Sequence, residues 1–277
     1  MTVLITGATG NVGGNVLAGL LERGVPVRVT SRDPSRAVLP PGVEVMRADL
    51  TDPQTLRPAL TGVERVFLYP RFREPEPVAA LLREAGVAHV VLVSASAAAA
   101  EGPEFDGGNP MRWFERTFAA SGLAYTFLRP DTFAANALFW RDDVRTHGAV
   151  PLPYPDSAQA PIHERDIADV AVVALTTDRL HGAAPILTGP ESITMGQQVA
   201  AIGAAIGRDV AVRTQTDEEA RAHFGKFLPR PMADAILKAW RDSVGVTPFV
   251  SPEVERITGR PGRTFAQWAR DHAEDYR

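Results

Sequence analysis

The chain has 277 residues, 29 Lys and Arg against 33 Asp and Glu for a formal net charge of -4, and 45% hydrophobic and 22% charged residues. These proportions are those of an ordinary globular protein, which excludes a disordered chain and leaves no broad basic field for nucleic acid. Cysteine is absent, which removes disulfides, thiolate zinc sites and a cysteine nucleophile together.

In chain order, short aliphatic or β-branched runs predict strands at 2–6, 25–30, 43–46, 65–69, 89–93 and 124–128. Between them, 12–23, 53–60, 76–85 and 110–121 read as helices, with Gly24, Gly62, Gly86 and Gly122 placed where left-handed caps belong. Strand and helix in alternation predict an α/β class: a doubly wound parallel sheet of the Rossmann kind. After Pro130 the rhythm breaks into proline-rich turns around Pro151–Pro155 and a helix-rich tail. We therefore expect a nucleotide-binding domain over 1–130 and a small, mostly helical substrate lobe over 131–277. A helix at 166–176 and a strand at 184–188 would return a segment near 160–190 to the main sheet. The run Ala97–Ala100 carries no interpretable signal. No apolar run approaches the ~20 residues of a membrane span, and Met1 leads straight into Thr2–Ile5 with no secretory pattern. A cytoplasmic protein is expected, with a small-molecule substrate, no nucleic acid or membrane partner, and a homodimer or protein partner left open.

The first strand runs directly into Thr6-Gly-Ala-Thr-Gly-Asn-Val-Gly-Gly14 and then into a helix. Gly7 permits a sharp turn off the strand, Gly10 lets backbone approach a pyrophosphate, and Gly13 lets the helix pack against the sheet. The anion would rest on free N–H groups at the helix start, near Asn11 and Val12. Sites that prefer NAD place Asp or Glu at the end of the second strand, where it meets the ribose 2′-hydroxyl. This chain has Thr30-Ser-Arg-Asp-Pro34 there. Ser31 and the planar guanidinium of Arg32 suit a 2′-phosphate, so NADP(H) is the expected cofactor, although Asp33 could instead serve a ribose. Asp49 and Leu50 follow the third strand, and Tyr69, Pro70 and Arg71 follow the fourth, at the carboxyl edge where such sheets bind ligands. Asp49 equally fits a helix cap, and Tyr69 equally fits packing against the neighbouring loop.

Together the glycine segment, Arg32-Asp-Pro34, Ala48-Asp-Leu50, Ser121-Gly-Leu-Ala-Tyr-Thr-Phe-Leu-Arg-Pro130 and Asp166-Ile-Ala-Asp169 resemble the NmrA-like family of atypical short-chain dehydrogenases/reductases, including its quinone-reductase-like members. The resemblance covers about residues 1–190 well and the tail loosely. It implies a Rossmann domain with a small C-terminal lobe and a pocket in the cleft between them. By position it implies that Gly7, Thr9, Gly10, Asn11 and Val12 hold the pyrophosphate, Ser31 and Arg32 the adenosine phosphate, and Asp49 with Leu50 the adenine.

Most short-chain dehydrogenases use Tyr-x-x-x-Lys, because residues i and i+4 share a helix face and the lysine lowers the tyrosine pKa for proton exchange with a carbonyl. The only lysines here are Lys226 and Lys238, preceded four residues earlier by Ala222 and Asp234. The pair is absent, and Met111 stands near the place where some relatives carry the lysine. Ser94 and Ser96 are expected to end the fifth strand, where the standard enzymes keep a serine that hydrogen-bonds the carbonyl, and either is a candidate to touch substrate or nicotinamide; a plain turn role is the alternative. His163, before a helix, is a candidate acid or a structural histidine, and Tyr69 is a candidate proton donor. Glu115 and Arg116 read as surface or interdomain charges. Trp113, Phe133, Asn136, Phe139 and Trp140 could wall an aromatic pocket or belong to the core. No paired His–carboxylate signature suggests a metal. The expected activity is NADPH-dependent reduction of a small apolar, conjugated or quinone-like substrate; the alternatives are a non-catalytic NADP(H) sensor and an isomerase or lyase of secondary metabolism.

Overall fold

Residues 1–100, 110–226 and 228–277 are described in a computed structural model of the chain. In chain order the strands are β1 (Val3–Thr6), β2 (Val27–Ser31), β3 (Glu44–Arg47), β4 (Arg65–Leu68), β5 (His89–Val93), β6 (Ala124–Pro130), β7 (Ala149–Leu152), β8 (Ala158–Gln159), β9 (Ile186–Leu187), β10 (Ile193–Thr194) and β11 (Ala211–Thr214). Seven of them form one sheet in the order β3-β2-β1-β4-β5-β6-β9, parallel throughout. The strand order reverses between β1 and β4, the switch point beside which doubly wound sheets bind their ligands. Crossover helices bury both sheet faces, so β1 and β5 are wholly buried and read in sequence as unbroken apolar runs.

The predicted helices appear as Asn11–Glu22, Pro75–Glu84, Pro110–Ala120 and Glu164–Thr176. The four capping glycines take left-handed backbone, with φ of 67° at Gly24, 72° at Gly62, 76° at Gly86 and 84° at Gly122. One sequence expectation needs correction. Segment 53–60 is a 3-10 helix, Pro53–Leu60, started by the Asp52 carboxylate on the Gln54 N–H and carrying Pro58 in its interior, where a proline removes an α-helical hydrogen bond. The alanine run lies in a 3-10 turn, Ser96–Ala99, that follows β5.

The chain divides into two compact units. The first comprises Met1–Asp131, Glu164–Leu187 and Glu253–Pro261; the second comprises Thr132–His163, Thr188–Pro252 and Gly262–Arg277. In the first, helix Glu164–Thr176 packs so closely on helix Asn11–Glu22 that a Cβ at Gly19 would sit 3.1 Å from Val172 Cγ2. The short helix Glu253–Thr258 buries Val254 and Ile257, and Arg260 pairs with Asp169 at 3.3 Å. The second unit is built around Val144, Val199, Ile202, Phe265, Trp268 and Tyr276. Its helices Met195–Ile206, Asp217–Phe224 and Phe265–Asp271 each begin with a reciprocal Thr/Gln or Thr/Glu capping box, which satisfies two end donors at once. Tyr154 ties two of its elements together, donating its hydroxyl to Asp217 while accepting from Arg241 Nε at 2.7 Å. No helix among the described residues is long and apolar enough to cross a membrane.

Candidate nucleotide site

The glycine loop joins the end of β1 to helix Asn11–Glu22. Gly7 turns off the strand with φ 69°, and the Gly10 N–H closes the loop on Gly7 O at 3.0 Å. Gly10 then starts the helix with no side-chain cap and no acidic residue in the first turn, so the positive end of the helix remains available to an anion. Gly13 lets helix and loop meet: a Cβ there would lie 2.2 Å from Gly7 O. Gly7, Thr9, Gly10 and Asn11 are exposed, whereas Val12 is buried and can offer a ligand only its backbone. Thr6 braces the loop from below, donating to Phe67 O at 3.3 Å and accepting the Tyr69 N–H at 2.8 Å. An open, uncapped, glycine-lined helix start of this form fits a dinucleotide pyrophosphate.

Beyond β2, the Asp33 carboxylate is already engaged. Its Oδ1 accepts the Ser35 N–H at 3.1 Å and the Ser35 hydroxyl at 2.6 Å, so it caps the turn Pro34–Arg36. Ser31 Oγ donates to Asp33 O at 3.0 Å. Arg32 is exposed, and among the described residues no hydrogen bond or ion pair engages its guanidinium. Arg32 and Ser31 therefore stand at the strand end with the competing acid turned to another task, the arrangement that suits a 2′-phosphate better than a bare ribose. After β3, the capping reading of Asp49 is the one the geometry favours. Its Oδ1 takes the Thr51 N–H at 3.0 Å and the Thr51 hydroxyl at 2.8 Å. Those two bonds, with a smaller effect from Arg32, hold its pKa below the usual carboxylate value. Leu50 beside it is buried.

At the end of β4, Tyr69 is half-buried against the glycine loop, its Cβ 3.4 Å from where a Gly7 Cβ would lie. Arg71 is exposed, with its guanidinium carbon 6.0 Å from the Tyr69 ring centre; Pro70 between them is half-buried. The two serines differ from expectation, because β5 ends at Val93. Ser94 follows it directly, whereas Ser96 begins the next turn and donates to Asp131 Oδ1 at 2.9 Å.

Ser94 leads to a network that the surface reading of Glu115 missed. Ser94 Oγ donates to Glu115 Oε1 at 2.6 Å. Arg129 donates through Nε to the same oxygen at 3.0 Å and through Nη2 to Oε2 at 2.5 Å. Glu115 is only 5% exposed, and its hydrogen bonds push the Arg129 pKa up. The misreading has a physical source: Met111, Phe114, Glu115 and Phe118 follow the i, i+3, i+4, i+7 spacing of a buried stripe, so Glu115 occupies a core position and needs Arg129 as its counter-charge. Arg116 is exposed, as expected.

His163 stands in the second unit, buried, with Nε2 3.3 Å from Asp271 Oδ2. The aromatic candidates are divided between the two units. Trp113 belongs to the first unit, 43% exposed and donating to Glu76 at 2.8 Å. In the second, Phe139 is 67% exposed while Trp140 packs on the core.

Residues 7–178 match a family model described as NAD(P)H-binding. Over 99% of both chains, the sequence is 38% identical to a (4-alkanoyl-5-oxo-2,5-dihydrofuran-3-yl)methyl phosphate reductase from Streptomyces griseus subsp. griseus. It is 34% identical to an NAD(P)H azoreductase from Xenophilus azovorans over 98% of each. Among solved structures, an NADPH-dependent quinone oxidoreductase of Escherichia coli in complex with NADPH superposes with a TM-score of 0.78 at 25% identity, covering 96% of this chain and 98% of that one.

Proposed function

The chain belongs to the NAD(P)H-binding family, and on that premise we propose that it is an NADPH-dependent reductase of a small quinone-like or activated-enone acceptor. Preference for the phosphorylated nucleotide rests on Arg32 and Ser31, with Asp33 drawn off by Ser35. When bound, the nucleotide supplies a hydride. The glycine loop and the start of helix Asn11–Glu22 hold its pyrophosphate, and Tyr69 and Ser94 flank the carboxyl ends of β4 and β5 next to it in the sheet order.

The observation that carries the choice of acceptor is the state of the hydroxyl protons at this edge. Ser94 commits its proton to Glu115 at 2.6 Å and Ser96 commits its proton to Asp131 at 2.9 Å. No Tyr-x-x-x-Lys exists in the sequence to supply another. A simple ketone would become a strongly basic alkoxide that needs such a proton at once. A quinone becomes a phenolate, whose conjugate acid resembles tyrosine with a pKa of about 10, and orientation against the hydride donor can suffice. The Streptomyces relative supports this reading, since the substrate in its name carries a ring double bond conjugated to both a ring carbonyl and an alkanoyl group, and hydride addition there leaves an enolate spread over two carbonyls.

The experiment is a turnover panel following NADPH oxidation by the loss of reduced-nicotinamide absorbance. Quinones and doubly activated enones are expected to consume NADPH stoichiometrically, and unactivated ketones to stay at background. Fast reduction of simple ketones would overturn the mechanism and turn attention to Tyr69, tested by Tyr69→Phe. Tight nucleotide binding with no acceptor stimulating oxidation would favour an NADP(H) sensor instead.

A further inference from the structure

The buried network behind Ser94 restricts what that residue can do. A serine hydroxyl has one proton and two lone pairs, and an ionised carboxylate only accepts. Arg129 donates to both Glu115 oxygens, at 3.0 and 2.5 Å, so Glu115 faces Ser94 as an acceptor. The Ser94 proton is therefore spent, and the Ser94 N–H is spent too, on Leu128 O at 2.7 Å. What Ser94 presents at the end of β5 is a pair of acceptor sites, held in place by a charge pair that is costly to bury.

Resting on the nucleotide reading above, we infer that Glu115 and Arg129 are positioning residues that hold Ser94 as a hydrogen-bond acceptor for the carboxamide N–H of the nicotinamide ring. The direction of the nucleotide follows from the sheet: the adenosine end belongs at Ser31 and Arg32 after β2, the pyrophosphate at Gly10–Val12 after β1, and next in order come β4 and β5. Neighbouring strands lie about 4.8 Å apart, so the end of β5 is roughly 10 Å beyond that of β1, within reach of a ribose and its ring. Of the groups that arrive there, the carboxamide brings two N–H donors. A quinone or enone carbonyl brings only lone pairs, which would face the lone pairs of Ser94. Holding the amide fixes the rotation of the ring, and with it the face of the ring carbon turned toward the acceptor.

The test is calorimetry on the intact chain with three ligands: NADP⁺, its 3-acetylpyridine analogue, in which a methyl group replaces the amide nitrogen, and 2′-phosphoadenosine diphosphoribose, which has no nicotinamide. The wild type is expected to bind NADP⁺ about tenfold more tightly than the acetylpyridine analogue, the equivalent of one hydrogen bond. Ser94→Ala should bring that ratio close to one, Glu115→Gln should lower it part of the way, and both should bind the phosphoadenosine ligand as the wild type does. A tenfold ratio surviving in Ser94→Ala, or a ratio of one in the wild type, overturns the inference. If Ser94→Ala does not fold, the ratio in Glu115→Gln decides the matter, and a value unchanged from the wild type overturns the inference. Binding of the phosphoadenosine ligand with a ratio of one would sink this inference alone; wild-type failure to bind any of the three would sink the nucleotide reading with it.

Discussion

Replacing Gly13 with alanine would place a Cβ 2.2 Å from Gly7 O, 2.7 Å from Gly7 C and 3.2 Å from Ala8 Cα. All three are backbone atoms, so no side chain can swing away. Nonbonded heavy atoms sit about 3.5 Å apart at their closest comfortable approach, and relief demands that helix and loop separate by about 1 Å. The strain of such overpacking costs roughly 1–3 kcal/mol, offset by at most ~1 kcal/mol from replacing a helical glycine. We expect Gly13→Ala to be destabilised by about 1–2 kcal/mol in a urea titration. The larger effect falls on binding, because the part that moves is the loop whose N–H groups meet the pyrophosphate. Charge-assisted bonds are short, and calorimetry with NADP⁺ should show at least a tenfold loss, ~1.4 kcal/mol. Gly14→Ala is the matched control: its Cβ would meet Ala8 O at 3.3 Å, a contact relieved by a few tenths of an ångström, so stability and affinity should stay close to wild type. A Gly13→Ala protein that folds and binds NADP⁺ like the wild type would refute the argument.

Arg32→Glu should weaken NADPH by tenfold or more, ~1.4 kcal/mol per decade, with little change for NADH; equal losses for both nucleotides would exclude a 2′-phosphate contact. His89 is buried, with its Nε2 2.9 Å from Thr126 Oγ1 and its ring 4.3 Å from that of His181. Burial, then the nearby His181 and Arg65 charges against an opposing pull from Asp178, lower its pKa from 6.5 to about 4. Above pH 6.5 both folded and unfolded chains keep this histidine neutral, but below it only the unfolded chain takes the proton. Stability measured by urea midpoints should therefore fall as pH drops from 6.5 toward about 4, by up to ~1.4 kcal/mol per pH unit, and His89→Gln should flatten that slope. Glu115→Ala leaves Arg129 without its partner and should cost about 3 kcal/mol, the lower end for a buried pair, because Arg129 keeps some exposure; a loss near zero in the same titration would mean that the pair is not held in solution.

Much of the nucleotide-binding unit is legible in the sequence because its signals are local. Gly7, Gly10 and Gly13 each answer one backbone demand within a single turn, and Gly24, Gly62, Gly86 and Gly122 mark helix ends by their own conformation. What escaped was decided by partners distant in the chain. The role of Ser94 depends on Glu115, 21 residues away, and Glu115 in turn on Arg129; the helical spacing placed Glu115 on the buried stripe, but its charge argued for the surface. Asp33 and Asp49 read as possible ligands because nothing in a sequence says that Ser35 and Thr51 will claim them first. The 3-10 helix at Pro53–Leu60 was signalled by Pro58, a residue that outweighs the periodicity around it.

The make-up of the first unit also has a consequence in time. Its last segment, Glu253–Pro261, follows Asp131 by as many as 130 residues. At about 5–20 residues per second of synthesis, roughly 6–26 seconds pass after the sixth strand is made before the unit can close. The nascent sheet meanwhile waits with its β6 edge unpaired until Ile186 and Leu187 arrive. Such an edge invites strand pairing with other chains, so in the interval after Asp131 aggregation competes with folding.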